Sequence, residues 1–130
     1  MCFVNSAFST STPDKLYAAL QRQTDINIAN YLSTWTSQVG YPVVTVERDN
    51  QTLQISQQRF ILKEKNHTIA TKWQVPLNYA TSLENNFAST SHKLLLSNDA
   101  NVLTHELNGS PEWIVFNVQQ TGDYTICLHN

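Results

Sequence analysis

Apolar residues recur along the chain with two periods, and the change of period falls near residue 41. Before it the spacing is helical. Ser11-Thr12-Pro13-Asp14 reads as a helix start: a hydroxyl cap, a proline whose missing N–H costs nothing there, and an acid at the positive end of the dipole. Leu16, Tyr17 and Leu20 follow at helical intervals. A second helix is predicted after Thr24-Asp25, with Ile28, Leu32 and Trp35 on one face. Gly40 supplies a left-handed stop, and Pro42 prevents the helix from resuming.

From Tyr41 onward the period is two. Val44 and Val46 alternate, Asp49-Asn50 reads as a turn, and Leu53 and Ile55 continue the alternation. The apolar phase slips between Ile55 and the pair Phe60 and Leu62, which predicts a bulge or bend near Ser56 to Gln58. Ile69, Thr71, Trp73, Val75, Leu77 and Tyr79 alternate, while Pro76 on the opposite phase predicts an edge strand. Residues 80–92 are polar and read as a loop. Leu94 to Leu96 and Val102-Leu103 are short strand candidates. The run from Trp113 to Val118, broken by Asn117, predicts a strand buried on both faces. Thr121-Gly122-Asp123 reads as a turn, and Tyr124, Ile126 and Leu128 alternate to the end. These elements predict a mainly β fold: an antiparallel β-sandwich over 41–130, preceded over 1–40 by two α-helices. Two helices cannot both cover such a sheet and bury their own faces, so they read as the tail of a neighbouring domain.

Composition narrows the function classes. The 130 residues carry 14% charged side chains and a net charge of -2, which argues against nucleic acid, and 41% apolar residues argue against disorder. Ser, Thr, Asn and Gln supply the polarity, at 48 of 130 positions, a mixture that leans towards strands. The apolar run at Met1-Cys2-Phe3-Val4 stops at Asn5, and no signal-peptide core or transmembrane stretch is predicted. Two cysteines, Cys2 and Cys127, are too few for a disulfide framework, and free thiols are expected.

N-x-S/T triplets at Asn50, Asn66 and Asn108 are possible N-glycosylation sites. Thirteen asparagines in a chain with 25 Ser and Thr residues give about 2.5 such triplets by chance, so they do not fix the compartment.

Catalytic constellations do not assemble. His67, His92, His105 and His129 include no i, i+4 pair. Thr104-His105-Glu106-Leu107 begins like a zincin helix, but the fifth position is Gly109 and Asn108-Gly109 would break the helix; an exposed His-Glu beside a turn is expected instead. Glu106 and Glu112 flank that turn without a spacing argument. The three glycines form no phosphate loop, and no G-x-S-x-G elbow is present. Lys63, Lys65 and Lys72 read as a solvated strand edge, and Trp73 and Trp113 as core rather than as sugar-stacking platforms.

One stretch is more specific than any pattern. Trp35-Thr36-Ser37-Gln38-Val39-Gly40-Tyr41-Pro42-Val43-Val44-Thr45-Val46 closely resembles the W-T-x-Q-x-G-Y-P segment of the aminopeptidase N family of zinc metallopeptidases, the gluzincin aminopeptidases. The resemblance continues in order. Gln58-Arg59-Phe60 is similar to the family's Q-x-R-F strand, and Trp73-Gln74-Val75-Pro76-Leu77 to its W-x-I-P-L strand. Trp113-Ile114 with Asn117 resembles W-(I/L)-x-x-N, and Gly122-Asp123-Tyr124 the start of G-Y-Y-R-V-N-Y-D. Upstream, Asp14-Lys15-Leu16-Tyr17-Ala18-Ala19-Leu20 resembles D-L-x-x-A-L.

The resemblance implies a fragment covering the end of the catalytic domain and the following β-sandwich, which links to a helical C-terminal domain. In that family zinc activates water against the scissile carbonyl while acidic groups hold the free amine. The His-Glu-x-x-His and G-A-M-E-N motifs lie upstream of every residue here. Ser82-Leu83-Glu84-Asn85 falls on the wrong side of the W-T-x-Q segment to match the latter. No catalytic, metal-binding or substrate-binding residue is therefore carried over, and no cofactor is expected in this chain, zinc belonging to the parent. The expected role is a non-catalytic inter-domain spacer, inactive alone. Leu16, Leu20, Ile28, Leu32 and Trp35 would pack on the missing catalytic domain, and self-association would follow if that face stays bare. The resemblance implies an extracellular or membrane-associated ectoenzyme. The alternative is a free-standing β-sandwich binding or decoy module without peptidase activity. At the end, Tyr124-Thr125-Ile126-Cys127-Leu128-His129-Asn130 departs from Y-R-V-N-Y-D.

Overall fold

The computed structural model describes residues 12–61 and 71–129. The chain divides into two compact units between Gln38 and Val39.

In the first unit, helix α1 spans Pro13–Gln21 and helix α2 spans Ile28–Thr36. Pro13 opens α1 and Asp14 sits in its first turn, where the amide dipoles favour negative charge. Gln21 bridges the joint between the helices. The Gln21 amide donates to the carbonyls of Thr24 (3.0 Å) and Ile26 (2.9 Å) and accepts from the Ile28 N–H (2.9 Å). Asn27 caps α2 by accepting from the Asn30 N–H at 3.0 Å, two residues beyond the predicted start. Helix α1 buries no residue and α2 buries only Thr34.

Among its described residues the second unit holds eight strands: β1 (Pro42–Asp49), β2 (Thr52–Arg59), β3 (Val75–Leu77), β4 (Tyr79–Thr81), β5 (Leu94–Leu96), β6 (Leu103–Glu106), β7 (Ile114–Phe116) and β8 (Thr125–His129). Among the described residues the fold is mainly β with two helices, as the sequence predicts. Strands β1 and β2 form a hairpin whose turn residue Asn50 adopts a left-handed φ of 53°, a conformation asparagine tolerates. They lie inside a four-stranded sheet ordered β6-β2-β1-β8, and β3 pairs with β5 and β4 with β7.

Val44, Val46, Leu53, Ile55, Trp73, Val75, Leu77 and Leu96 are essentially solvent-free. Each such side chain is worth about 1.5–3 kcal/mol on burial. The one ion pair among the described residues, Lys93–Glu84 at 2.7 Å, is surface-exposed and contributes at most about 1 kcal/mol. Apolar burial therefore dominates.

Three expectations are corrected. No bulge interrupts β2: its register with β1 runs unbroken from Thr52 to Arg59. The apparent phase slip arises because the inward position after Ile55 is Gln57, a buried amide that an apolar pattern cannot register. Second, β8 runs parallel to β1, with Val44 opposite Ile126 and Val46 opposite Leu128, so the sheet is mixed and not wholly antiparallel. Third, Trp113 to Val118 is not a doubly buried strand. Only Ile114–Phe116 is extended, β7 pairs with β4 alone among the described strands, and Val115 and Trp113 face solvent at 42% and 37% exposure. Trp73, by contrast, is fully buried, as expected. Cys127 is a free, half-buried thiol; Cys2, Leu62, Lys63, Lys65, Asn66, His67 and Ile69 lie outside the described residues.

Candidate functional site

The most ordered polar chemistry of the second unit is internal. Asn78 interrupts the extended run between β3 and β4 and is 4% exposed. Its amide donates to the Thr90 carbonyl and the Thr121 hydroxyl, both at 3.1 Å, and accepts from the Val118 N–H at 2.7 Å. Asn117, left-handed at φ 54°, donates its backbone N–H to the Asn78 carbonyl at 3.0 Å. Its side chain closes the following turn, donating to the Gly122 carbonyl (3.0 Å) and accepting from the Gly122 N–H (2.9 Å). Gly122 is required there: a Cβ would stand 2.0 Å from the Tyr124 ring.

A second amide does similar work on β2. Gln57 donates to the Trp73 carbonyl and accepts from the Trp73 N–H, both at 2.8 Å, so one side chain replaces a strand partner. Buried groups of this kind are costly to leave unmade. Gln57 also stands two residues before Arg59, the spacing that Q-x-R-F requires. The matching glutamine is thus Gln57, not Gln58, which is exposed.

The nearest approach to an acid–base cluster surrounds Tyr79. Its hydroxyl meets His105 Nε2 at 3.0 Å, its ring tilts against Phe116, and Lys93 Nζ lies 4.6 Å above the ring while pairing with Glu84. Burial pushes the Tyr79 phenol above its ordinary value; the Lys93 ammonium opposes this and the Glu84 carboxylate adds to it. The phenol stays protonated at neutral pH, and the pair links β4 to β6. A groove of about 300 Å³ opens beside it, bordered by Leu83, Asn108 and Pro111. His105 is thus half-buried and hydrogen-bonded, not the solvent-exposed residue expected, because its strand turns the ring towards β4. Glu106 is exposed.

No set of three or more His, Cys, Asp or Glu side chains among the described residues is placed to hold a metal. His105 and Glu106 lie on a strand, where successive side chains diverge, so the described residues do not fit a gluzincin zinc site. Lys72 is engaged by the Ala100 carbonyl and the Asn101 side chain. Asn50 and Asn108 are both exposed, in the β1–β2 turn and beside Gly109 respectively. On the helices, Leu16 and Leu20 are each 40% exposed, while Ile28, Leu32 and Trp35 are half-buried. Among the described residues no helix is long and apolar enough to cross a membrane.

Sequence reasoning missed Asn78 and Gln57 as anchors. Gln57 had a signal: an unbroken two-residue phase through Leu53 and Ile55 lands on it.

No protein-family model matches the chain. Individual proteins do. The chain is 28% identical to the membrane alanyl aminopeptidase of Heliothis virescens over 92% of its own length, and 32% identical to the aminopeptidase N of Plutella xylostella over 88%. The endoplasmic reticulum aminopeptidase 2 of Bos taurus is 31% identical over 78% of the chain. The chain spans 13%, 13% and 11% of the length of these three relatives.

Proposed function

Because the chain belongs to the aminopeptidase N family, we propose that it is a non-catalytic portion of such an enzyme: the end of the catalytic domain (1–40) and the β-sandwich that follows (41–130). Its role is mechanical. The strands form a stiff spacer, and the helices supply a face for the catalytic domain. Zinc and peptide hydrolysis belong to other parts of the parent protein.

The observation that carries this reading is the exposure of the leucines on helix α1. Leu16 and Leu20 repeat one turn apart on α1 yet each keeps 40% of its surface in water, and α1 buries nothing. Apolar faces of that kind mark a partner surface. The partner proposed is the remainder of the catalytic domain, against which Ile28, Leu32 and Trp35 also pack.

The test is dye binding. The isolated chain is expected to bind a hydrophobic dye and to self-associate, and Leu16→Ser/Leu20→Ser is expected to lose both without loss of the cooperative unfolding of the strands. A monomer that ignores the dye overturns the reading and favours a free-standing module.

A further inference from the structure

The β1–β2 turn borders a groove of about 460 Å³ whose lining includes Arg48, Asn50, Glu112, Trp113, Leu128 and His129. Trp113 is turned out of the core, and its ring is steadied by stacking on Phe87, with centroids 5.9 Å apart and planes 22° apart. Arg48 is fixed by its own bonds to the carbonyls of Asn50 (2.9 Å) and Pro111 (2.5 Å), and retains further N–H donors. The Glu112 carboxylate has no partner among the described residues, while its backbone N–H is held by the Ser82 hydroxyl at 2.8 Å.

The groove is lined by one guanidinium and one carboxylate, so it carries no excess of either sign that would select an ionic ligand. A neutral ring with many hydroxyls suits it: C–H faces lie on the indole, and hydroxyls pair with guanidinium, carboxylate and imidazole. Such a ring has a local source. Asn50 lines the groove, is exposed in a tight turn, and is followed by Gln51-Thr52, which completes an acceptor triplet. A sugar tethered there reaches the indole without the entropic cost of free association. Asn108 lacks this setting, because the aromatic ring bordering its groove, Tyr79, is already covered by Lys93.

We propose that Asn50 is N-glycosylated and that the first N-acetylglucosamine residues lie in this groove against Trp113. In the modification, the Asn50 Nδ2–C1 bond forms as the C1–O bond to a lipid diphosphate oligosaccharide donor breaks. The amide loses one proton and the lipid diphosphate departs.

The test produces the full chain behind a secretion leader in a eukaryotic host and measures occupancy at Asn50 by peptide mass spectrometry. Trimming to a single N-acetylglucosamine is expected to leave Tm about 3 °C above that of the Asn50→Gln chain. The increment is expected to vanish in Trp113→Ala, whereas any effect of Asn108→Gln is expected to be the same with or without Trp113. Sugar ring protons should also shift upfield in the NMR spectrum of the unsubstituted glycoprotein, a readout that holds even if Trp113→Ala fails to fold. An unmodified Asn50, an increment that survives Trp113→Ala, or unshifted sugar protons overturns the proposal.

Discussion

Asn117 donates its backbone N–H to the carbonyl of Asn78 at 3.0 Å, while the next residue, Val118, donates to the Asn78 side chain at 2.7 Å. One buried asparagine thereby receives two successive N–H groups from a left-handed corner and sends its own amide to Thr90 and Thr121. Asn78→Ala strands several of these groups in the interior. The expected cost is about 2–4 kcal/mol, read from the urea midpoint at unchanged slope. A cost under about 0.5 kcal/mol, the range of an inert surface change, contradicts the anchoring role.

Gln57 poses a similar question on β2. Gln57→Leu keeps the volume and removes both bonds to Trp73, and a loss of about 2–3 kcal/mol is expected. Gln58→Leu, at an exposed position one residue on, should change stability by no more than about 0.5 kcal/mol. Equal effects at the two sites would refute the buried-amide assignment.

Gly122 leaves space for an aromatic ring. A Cβ there would stand 2.0 Å from Tyr124 Cε1, so Gly122→Ala must displace the buried Tyr124. A destabilisation of about 1–3 kcal/mol is expected. In a Tyr124→Leu background the same substitution should cost clearly less, and a double-mutant cycle measures the difference. Additive effects would show that the ring is not the obstacle.

Two partly buried phenols contribute to the alkaline loss of stability. Burial raises the Tyr31 and Tyr79 values above 10.0 in the folded chain. The folded state therefore holds protons that the unfolded state has begun to lose. Their contribution is complete below pH 10 and is lost as pH rises through the folded values. On the acid side, the Ser97 hydroxyl and nearby backbone N–H groups lower the exposed Asp99 below 3.8, so its small contribution is present above that pH and disappears below it. Unfolding midpoints measured from pH 9 to 11 should fall for the natural chain and fall less for Tyr79→Phe; identical profiles contradict the assignment.

The chain should also be chemically silent. After equilibration with zinc and dialysis, metal analysis is expected to find less than stoichiometric zinc, and an aminoacyl amide should remain intact. Bound zinc accompanied by hydrolysis would contradict the spacer role.

Much of this architecture was legible in the sequence because period reports which face a residue occupies. Val44, Val46, Leu53 and Ile55 alternate and are all buried, Asn50 and Gln51 turn the hairpin one residue beyond the predicted Asp49-Asn50, and Pro13 opens a helix. The hidden parts share a cause: polarity stood where apolar burial was sought, or the reverse. Gln57 occupies a core position and imitated a bulge; Trp113 sits in an apolar run and faces water. Strand direction leaves no trace in periodicity, so the parallel pairing of β8 with β1 could not be read. The groove beside Asn50 joins residues more than sixty positions apart, a distance that no local pattern spans.

The most direct test of the central claim is the size of the polypeptide that cells make. An antibody raised to residues 41–126 is expected to detect a band several times larger than 14.8 kDa, as a portion of an aminopeptidase requires. A band near 15 kDa alone would contradict the account, showing that these strands exist as a protein in their own right.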